Sequence, residues 1–406
     1  MLTIQRQVSL TAPVDVAYTA QPLQDAPFVA RPRAEPQPAR VTRFLGSAAQ
    51  NARQPFPLRD GSWALRWSQP IKVEGTPAPI LELQDRIVVQ AGDWVLFGAD
   101  GTRIASGAMG RSALTADSAN GLFYLVDGAE QLQVRSASNG GLQFRWPVAM
   151  GEGFSYPLLT RAGTRFLVAG IEHDLFGHPT LPATHGRLYL LDAGALGTDE
   201  SKLLRTARRA ETLLIGEPRM LVTMVGERSL LATRGRLTVI SGDLQVESAF
   251  ETDDFEPQLL SADEAGYMHL VVGRGAGRLL WVVSPAGQRM VRVELGPELG
   301  PPGAPPVIGY DHRIFLWGGS ALRAYAPDGT SLWDWRCAEG IAGVGVTAND
   351  QLLVACGPEV RAIDAAGKAR RLFRFDGEAI AGPPVLAANG DLLVVTRTHL
   401  HRLGPR

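Results

Sequence analysis

Residues 324–335 read AYAPDGTSLWDW. Two apolar-rich runs flank Pro327-Asp328-Gly329, and three aromatic rings fall within eleven residues. Gly suits a tight turn because it reaches positive φ without a steric penalty. The flanking runs are short and rich in rings, as strands are. The stretch therefore reads as a hairpin, Gly329 at its turn and the outgoing strand carrying Trp333 and Trp335.

The same pattern recurs along the chain. Pro-bearing apolar entries appear as TPAPILEL (76–83), SYPLLT (155–160), EPRMLVTM (217–224), EPQLLSA (256–262), APPVIGY (304–310) and GPPVLAA (382–388). A second β run follows each, then a Gly turn such as ADGT, SNGG, SPAGQ, PDGT or AAGK, then a closing strand. Closing strands ALRW (64–67), QFRW (143–146), LWDW (332–335) and LFRF (372–375) end on a ring after a charge. The period of two places Trp67, Trp146, Trp335 and Phe375 at one register, as blade-packing residues together with Trp333 and Gly329. Trp333 is expected to dock on a neighbouring blade and to face away from Trp335.

Units begin near 77, 113, 157, 218, 257, 305, 344 and 383. A spacing of ~40 residues is that of a propeller blade. The last unit runs out after three strands, and WALRWSQP (63–70) is a fourth strand with no unit before it. Joining the two closes a ring without exposed sheet edges. The expected fold is an all-β propeller of four-stranded blades over 61–406. Eight blades fit best, and seven stay open because units two and four are poorly marked. Helical character is confined to 199–214.

Residues 1–60 differ. The stretch 26–40 holds four prolines and three arginines with little periodicity, so this N-terminal arm is expected to be extended or disordered.

Composition bounds the function. The chain has 406 residues, 45% hydrophobic and 20% charged, with net charge −1. That charge supplies no basic field for nucleic acid or acidic lipid. No apolar run reaches the ~18 residues of a membrane helix, and the N-terminus carries no signal-like apolar region, so a cytoplasmic, monomeric protein is expected. Cys337 and Cys356 are too few for a disulfide-framed fold and read as buried thiols.

The segment 324–333 resembles the tryptophan-docking repeat of the PQQ-like (quinoprotein) propellers, which runs Ala-x-Asp, Thr-Gly, Trp. AIDAAGKARR (362–371) matches its first part, with Ala366 in the Thr position and Arg371 in the Trp position. LFGADGTRIA (96–105) and VVSPAGQRMV (282–291) keep the Gly and the spacing. Blade length is also WD40-like. The resemblance implies either an enzyme or a scaffold. The family's dehydrogenases carry a vicinal Cys-Cys pair, a catalytic Asp and calcium ligands. This chain lacks the vicinal pair, which favours the non-catalytic scaffolds that bind proteins and implies no cofactor. Some bacterial members of this degenerate type accompany MoxR-type ATPases and von Willebrand A proteins. The alternative is a propeller enzyme with a channel metal or quinone, of the lactonase/hydrolase or dehydrogenase kind, for which Asp174, Glu217 and Glu256 are eligible carboxylates.

An inter-strand insertion is expected at 171–205. His173, His178 and His185 fall within thirteen residues there. Imidazoles are competent transition-metal ligands, although the spacing matches no structural zinc pattern. A protein-contact loop explains the same segment, with Glu172, Asp174, Phe176, Arg205, Arg208 and Arg209 as its contact residues. The glycines of GRGAG (273–277) read as a hairpin rather than a phosphate loop.

Overall fold

The computed structural model describes residues 20–35, 53–74, 80–83, 85–108, 113–117, 121–126, 131–147, 153–162, 165–173, 185–192, 208–215, 218–224, 228–242, 245–275, 277–300 and 303–406. For the strands at 113–117, 144–147, 153–162, 165–173, 185–192 and 208–215 the backbone path alone is described. The fold is an all-β propeller. Among the described residues the strands form eight sheets, each built on four antiparallel strands, seven of them in sequence order. Sheets 1 to 7 span 80–108, 113–147, 153–215, 218–251, 256–295, 307–336 and 341–374. Sheet 8 takes Val385–Leu386, Leu392–Val395 and His399–Pro405 from the C-terminal end and Trp63–Pro70 as its fourth strand.

The sheets pack face to face through apolar clusters. Val222, Leu230 and Phe250 of sheet 4 meet Leu260, Leu270 and Trp281 of sheet 5. Phe315, Trp317 and Leu322 of sheet 6 meet Val344, Val354 and Ile363 of sheet 7. Leu393, Val395 and Leu400 of sheet 8 meet Ile80, Ile87 and Val89 of sheet 1, so the last sheet lies against the first. The second strands of sheets 4 and 7, SLLAT and LLVAC, are buried at every position, so on both faces.

One irregularity repeats. In all eight sheets the pairing of third and fourth strands shifts register once, as between Ala324 and Tyr325 or between Leu96 and Phe97. An extra residue there increases the local twist, so the outer strand leans toward the next sheet.

That lean brings outer-strand side chains onto the next sheet's third-to-fourth turn. The Trp333 indole N–H donates to the Ala365 carbonyl at 3.1 Å, and the ring covers Gly367. The Trp67 indole N–H donates to the Ala99 carbonyl at 3.1 Å, and its ring covers Gly101. A second donor reaches each carbonyl, Arg313 at 3.0 Å on Ala365 and Arg402 at 2.7 Å on Ala99. Phe250 covers Gly287, and Val291 and Val293 cover Gly329, in the same way.

Four expectations are corrected. Trp67 is the counterpart of Trp333 rather than of Trp335. Trp333 and Trp335 pack on the same cluster between sheets 6 and 7, because residues two apart share a face of a strand. Phe375 lies just beyond its strand, Ala369–Arg374, yet still packs in the cluster between sheets 7 and 8, its ring centroid 4.9 Å from that of Phe373. The Trp146 side chain lies outside the described residues. Cys337 and Cys356 form a disulfide, with Cα atoms 5.7 Å apart. It joins the exit of sheet 6 to the second strand of sheet 7. Spacing hid it because propeller packing, not sequence proximity, brings the two together.

The segment 171–205 is not one loop. Its His185–Asp192 forms the third strand of sheet 3, paired with Arg165–His173 and Arg208–Ile215. Residues 208–214, expected to be helical, therefore lie in the strand Arg208–Ile215.

Candidate functional site

The first-to-second turns of sheets 5, 6, 7 and 8 share one construction. Asp263, Gly309, Thr347 and Ala387 each donate a backbone N–H to the carbonyl four residues on, at 2.8 to 3.0 Å. Their strands alternate in direction, so these turns share one face of the propeller with the third-to-fourth turns.

The N-terminal arm crosses that face. Gln21–Pro22 adds a parallel strand to the outer edge of sheet 4, and Gln24–Asp25 does the same on sheet 5. The Asp25 carboxylate accepts from the Arg289 side chain at 2.6 Å, which holds its pKa low. Inward from there, Arg31 pairs with Asp263 and lies 4.0 Å over the Tyr267 ring. The Pro32 carbonyl sits 2.7 Å from His312 Nε2, and Ala34 N–H donates to the Tyr310 carbonyl at 2.7 Å. Arg33 reaches Asp350 at 2.8 Å.

Arg53–Gln54 then pairs in parallel with the innermost strand of sheet 7, Ile341–Thr347. Innermost strands bound the central channel of a propeller. Arg53 donates to the carbonyls of Ile308 and Gly309, pairs with Glu264 and covers the Tyr310 ring at 4.8 Å. Gln54 Nε2 donates to the Pro384 carbonyl at 2.9 Å, and its Oε1 accepts from Leu386 N–H at 2.6 Å. Both are almost fully buried. Two residues of the arm thus fasten sheets 5, 6, 7 and 8 at the channel mouth.

Electrostatics under the arm follow from burial. Asp263 is fully buried, accepting from the backbone N–H of Ala265 and Tyr267 at 3.0 Å. Burial alone would raise its pKa. The nearby His269 at 3.5 Å, the Arg31 guanidinium and the backbone donors outweigh it and hold Asp263 well below the carboxylate range. Burial lowers His269 and His312, with Arg31 and Arg53 adding to the effect, while Asp263 opposes it at both. Burial and Asp311 raise Asp350. Asp263, Glu264 and Asp350 are each engaged by an arginine of the arm, so the carboxylates at this mouth are already neutralised.

A second cluster lies in sheet 8. His399 and His401 stand two apart on its third strand, and Glu378 approaches from the connection out of sheet 7. Glu378 Oε1 is 2.9 Å from His399 Nδ1, and its Oε2 is 3.7 Å from His401 Nε2.

The residues expected to carry function fare differently. His178, Asp174, Phe176 and Arg205 lie outside the described residues, as do the side chains of Glu172, His173, His185, Arg208 and Arg209. The backbone places His173 at the end of the second strand of sheet 3 and His185 at the start of the third. Glu256 is spent on Arg219, 3.1 Å away, and Glu217 lies outside the described residues. GRGAG falls at the turn between Met268–Arg274 and Gly277–Val283. Sequence reading missed both clusters. The available signals were the arginines set among prolines at 31–33 and the alternation in HLH at 399–401.

No protein-family model matches the chain, and no curated protein matches it. Solved structures do. BamB from Moraxella catarrhalis is 11% identical, with a TM-score of 0.57, covering 84% of this chain and 99% of its own. The Dos1 propeller is 10% identical, with a TM-score of 0.60, covering 86% of this chain and 96% of its own. At these identities the likeness concerns the fold, and it is to propellers.

Proposed function

We propose that the chain is a non-enzymatic scaffold that binds proteins by accepting an extended segment on the outer edges of its sheets. The observation that carries this is the arm itself. Its two short strands, Gln21–Pro22 and Gln24–Asp25, add in parallel to the outer strands of sheets 4 and 5. Among the described residues, the outer strands of sheets 6 and 8 carry no added strand, and each bears an exposed leucine, Leu332 at 45% and Leu65 at 47%. Backbone groups along an edge give affinity, and an apolar side chain beside them gives specificity. The propellers BamB and Dos1 share the fold, and Trp333 and Trp67 docking supports kinship with PQQ-like repeats. The pairing of Arg53–Gln54 on an innermost strand, with Asp263, Glu264 and Asp350 each engaged by an arginine, weighs against a channel enzyme. The disulfide weighs against the cytoplasmic expectation, because such bridges persist in oxidising compartments. No described helix is long and apolar enough to cross a membrane.

Cross-linking of the tagged full chain in its native host, with the linked peptides mapped, tests this. Cross-links concentrate on 63–70 and 331–336, and Leu332→Glu with Leu65→Glu removes them while thermal stability holds. The partner peptides show whether a MoxR-type ATPase or a von Willebrand A protein is involved. The contact residues expected at 172–209 are tested by substituting Glu172, Arg208 and Arg209, since deleting 171–205 would remove a strand of sheet 3. Cross-links unmoved by the leucine substitutions, or a quinone that co-purifies, would overturn the proposal.

A further inference from the structure

We propose that Glu378, His399 and His401 form a binding site for a divalent transition-metal ion of the zinc class. The three donor atoms lie within 4.8 Å of one another. Bonds of about 2.0–2.1 Å around a tetrahedral ion put neighbouring donors about 3.3 Å apart. Glu378 Oε1 lies 2.9 Å from His399 Nδ1, and the other carboxylate oxygen, Oε2, lies 3.7 Å from His401 Nε2, both near that value. Sub-ångström shifts would bring the set to ligating geometry. Two imidazoles and a carboxylate are the donor set that such ions prefer.

The fold explains why these atoms converge. Residues 399 and 401 share a face of His399–Pro405, while Leu400 between them is fully buried on the other face. Phe375 lies against the His401 ring, centroids 4.4 Å apart, and fixes its plane. The Thr396 hydroxyl donates to Glu378 Oε2 and orients the carboxylate, the kind of support that tunes metal ligands. His401 is 7% exposed and its Nδ1 is buried without a partner. Its Nε2 faces Glu378 and lies 3.4 Å from the Thr396 hydroxyl. The Thr398 hydroxyl, 2.9 Å from His399 Nδ1, is the group an ion would displace. Three protein ligands leave one position for water or for a side chain from outside. The site sits on the third strand of its sheet, away from the channel, and is independent of the scaffold reading.

The chelator-stripped full chain is titrated with Zn2+ by calorimetry, and with Co2+ by visible absorption. One ion per chain is expected, with the intense d–d bands of tetrahedral Co2+. Glu378→Gln and His399→Gln each weaken binding by about 100-fold or more, because they remove a ligand rather than its support. His401 is buried and its variants risk misfolding, so the decision rests on those two, with circular dichroism confirming the fold. The triple variant His173→Asn, His178→Asn, His185→Asn binds as the parent does. No binding, binding untouched by Glu378→Gln and His399→Gln, or binding lost in the triple variant instead would overturn the proposal.

Discussion

Gly367 has φ +83°, and a Cβ built there would lie 2.9 Å from the Trp333 ring. Gly377 has φ +76° but nothing within 4 Å of its Cβ position. The pair separates two costs of adding a methyl group. At Gly377 only the left-handed backbone is charged, about 1–2 kcal/mol. At Gly367 the ring must also leave its carbonyl partner, so Gly367→Ala should cost about 2 kcal/mol more than Gly377→Ala in urea unfolding. Equal losses would mean that Trp333 does not clasp the two sheets. A second residue-scale effect concerns acid. His269 and His312 have folded pKa values below the usual 6.5, while the unfolded chain titrates near it. The unfolded state therefore binds more protons below pH 6.5, and stability present above that pH falls as pH drops. The groups facing them are Asp263, Arg31 and Arg53, and Asp263, itself held low, adds to the loss only below its own ordinary range near 3.8. His269→Gln should flatten the dependence of unfolding free energy on pH between 6.5 and 5 by up to about 1.4 kcal/mol per pH unit. An unchanged slope would mean that His269 is already protonated in the folded chain.

At the scale of elements, the Cys337–Cys356 bridge closes a loop of nineteen positions across two sheets. Cross-linking a loop of that length removes about 3 kcal/mol of chain entropy from the unfolded state. Cys337→Ser with Cys356→Ser should lower stability by that order, and reduction of the parent should match it. No change in either would place the bridge's effect in the native state alone. The bridge also marks where sequence legibility stops. Strand entries and Gly turns were readable because Pro, Gly and β-branched runs act locally, and unit starts fell within four residues of sheet starts, the widest gap being 157 against Gly153. Pairing of Cys337 with Cys356, of Arg31 with Asp263, or of Glu378 with His399 depends on how neighbouring turns and sheets stack. No local period encodes that. The equivalence of Trp67 and Trp333 was hidden for a related reason. The bulge between third and fourth strands shifts which ring reaches the next turn.

At the scale of the whole molecule, one strand decides how the two ends of the chain meet. Trp63–Pro70 pairs along the whole of His399–Pro405, and Trp67 also docks on Ala99 and Gly101 of sheet 1. It therefore joins sheet 8 internally and ties sheet 8 to sheet 1. Trp63 is buried beside Leu392 and Leu403, so its removal would uncover apolar core as well as backbone. Two truncations separate this strand from the arm before it. A chain starting at residue 61 loses the arginine contacts of the arm, the Arg53–Gln54 pairing and the buried Leu58, but keeps the closing strand. It should unfold more easily and remain monomeric in light scattering. A chain starting at residue 72 leaves His399–Pro405 as an open edge, which invites pairing with other chains. It should self-associate at micromolar concentration, and a synthetic peptide of 63–70 added in excess should restore the monomer. If the chain starting at residue 72 stays monomeric and unfolds at the same urea concentration as the chain starting at 61, the ring is held by its sheet faces and not by this strand.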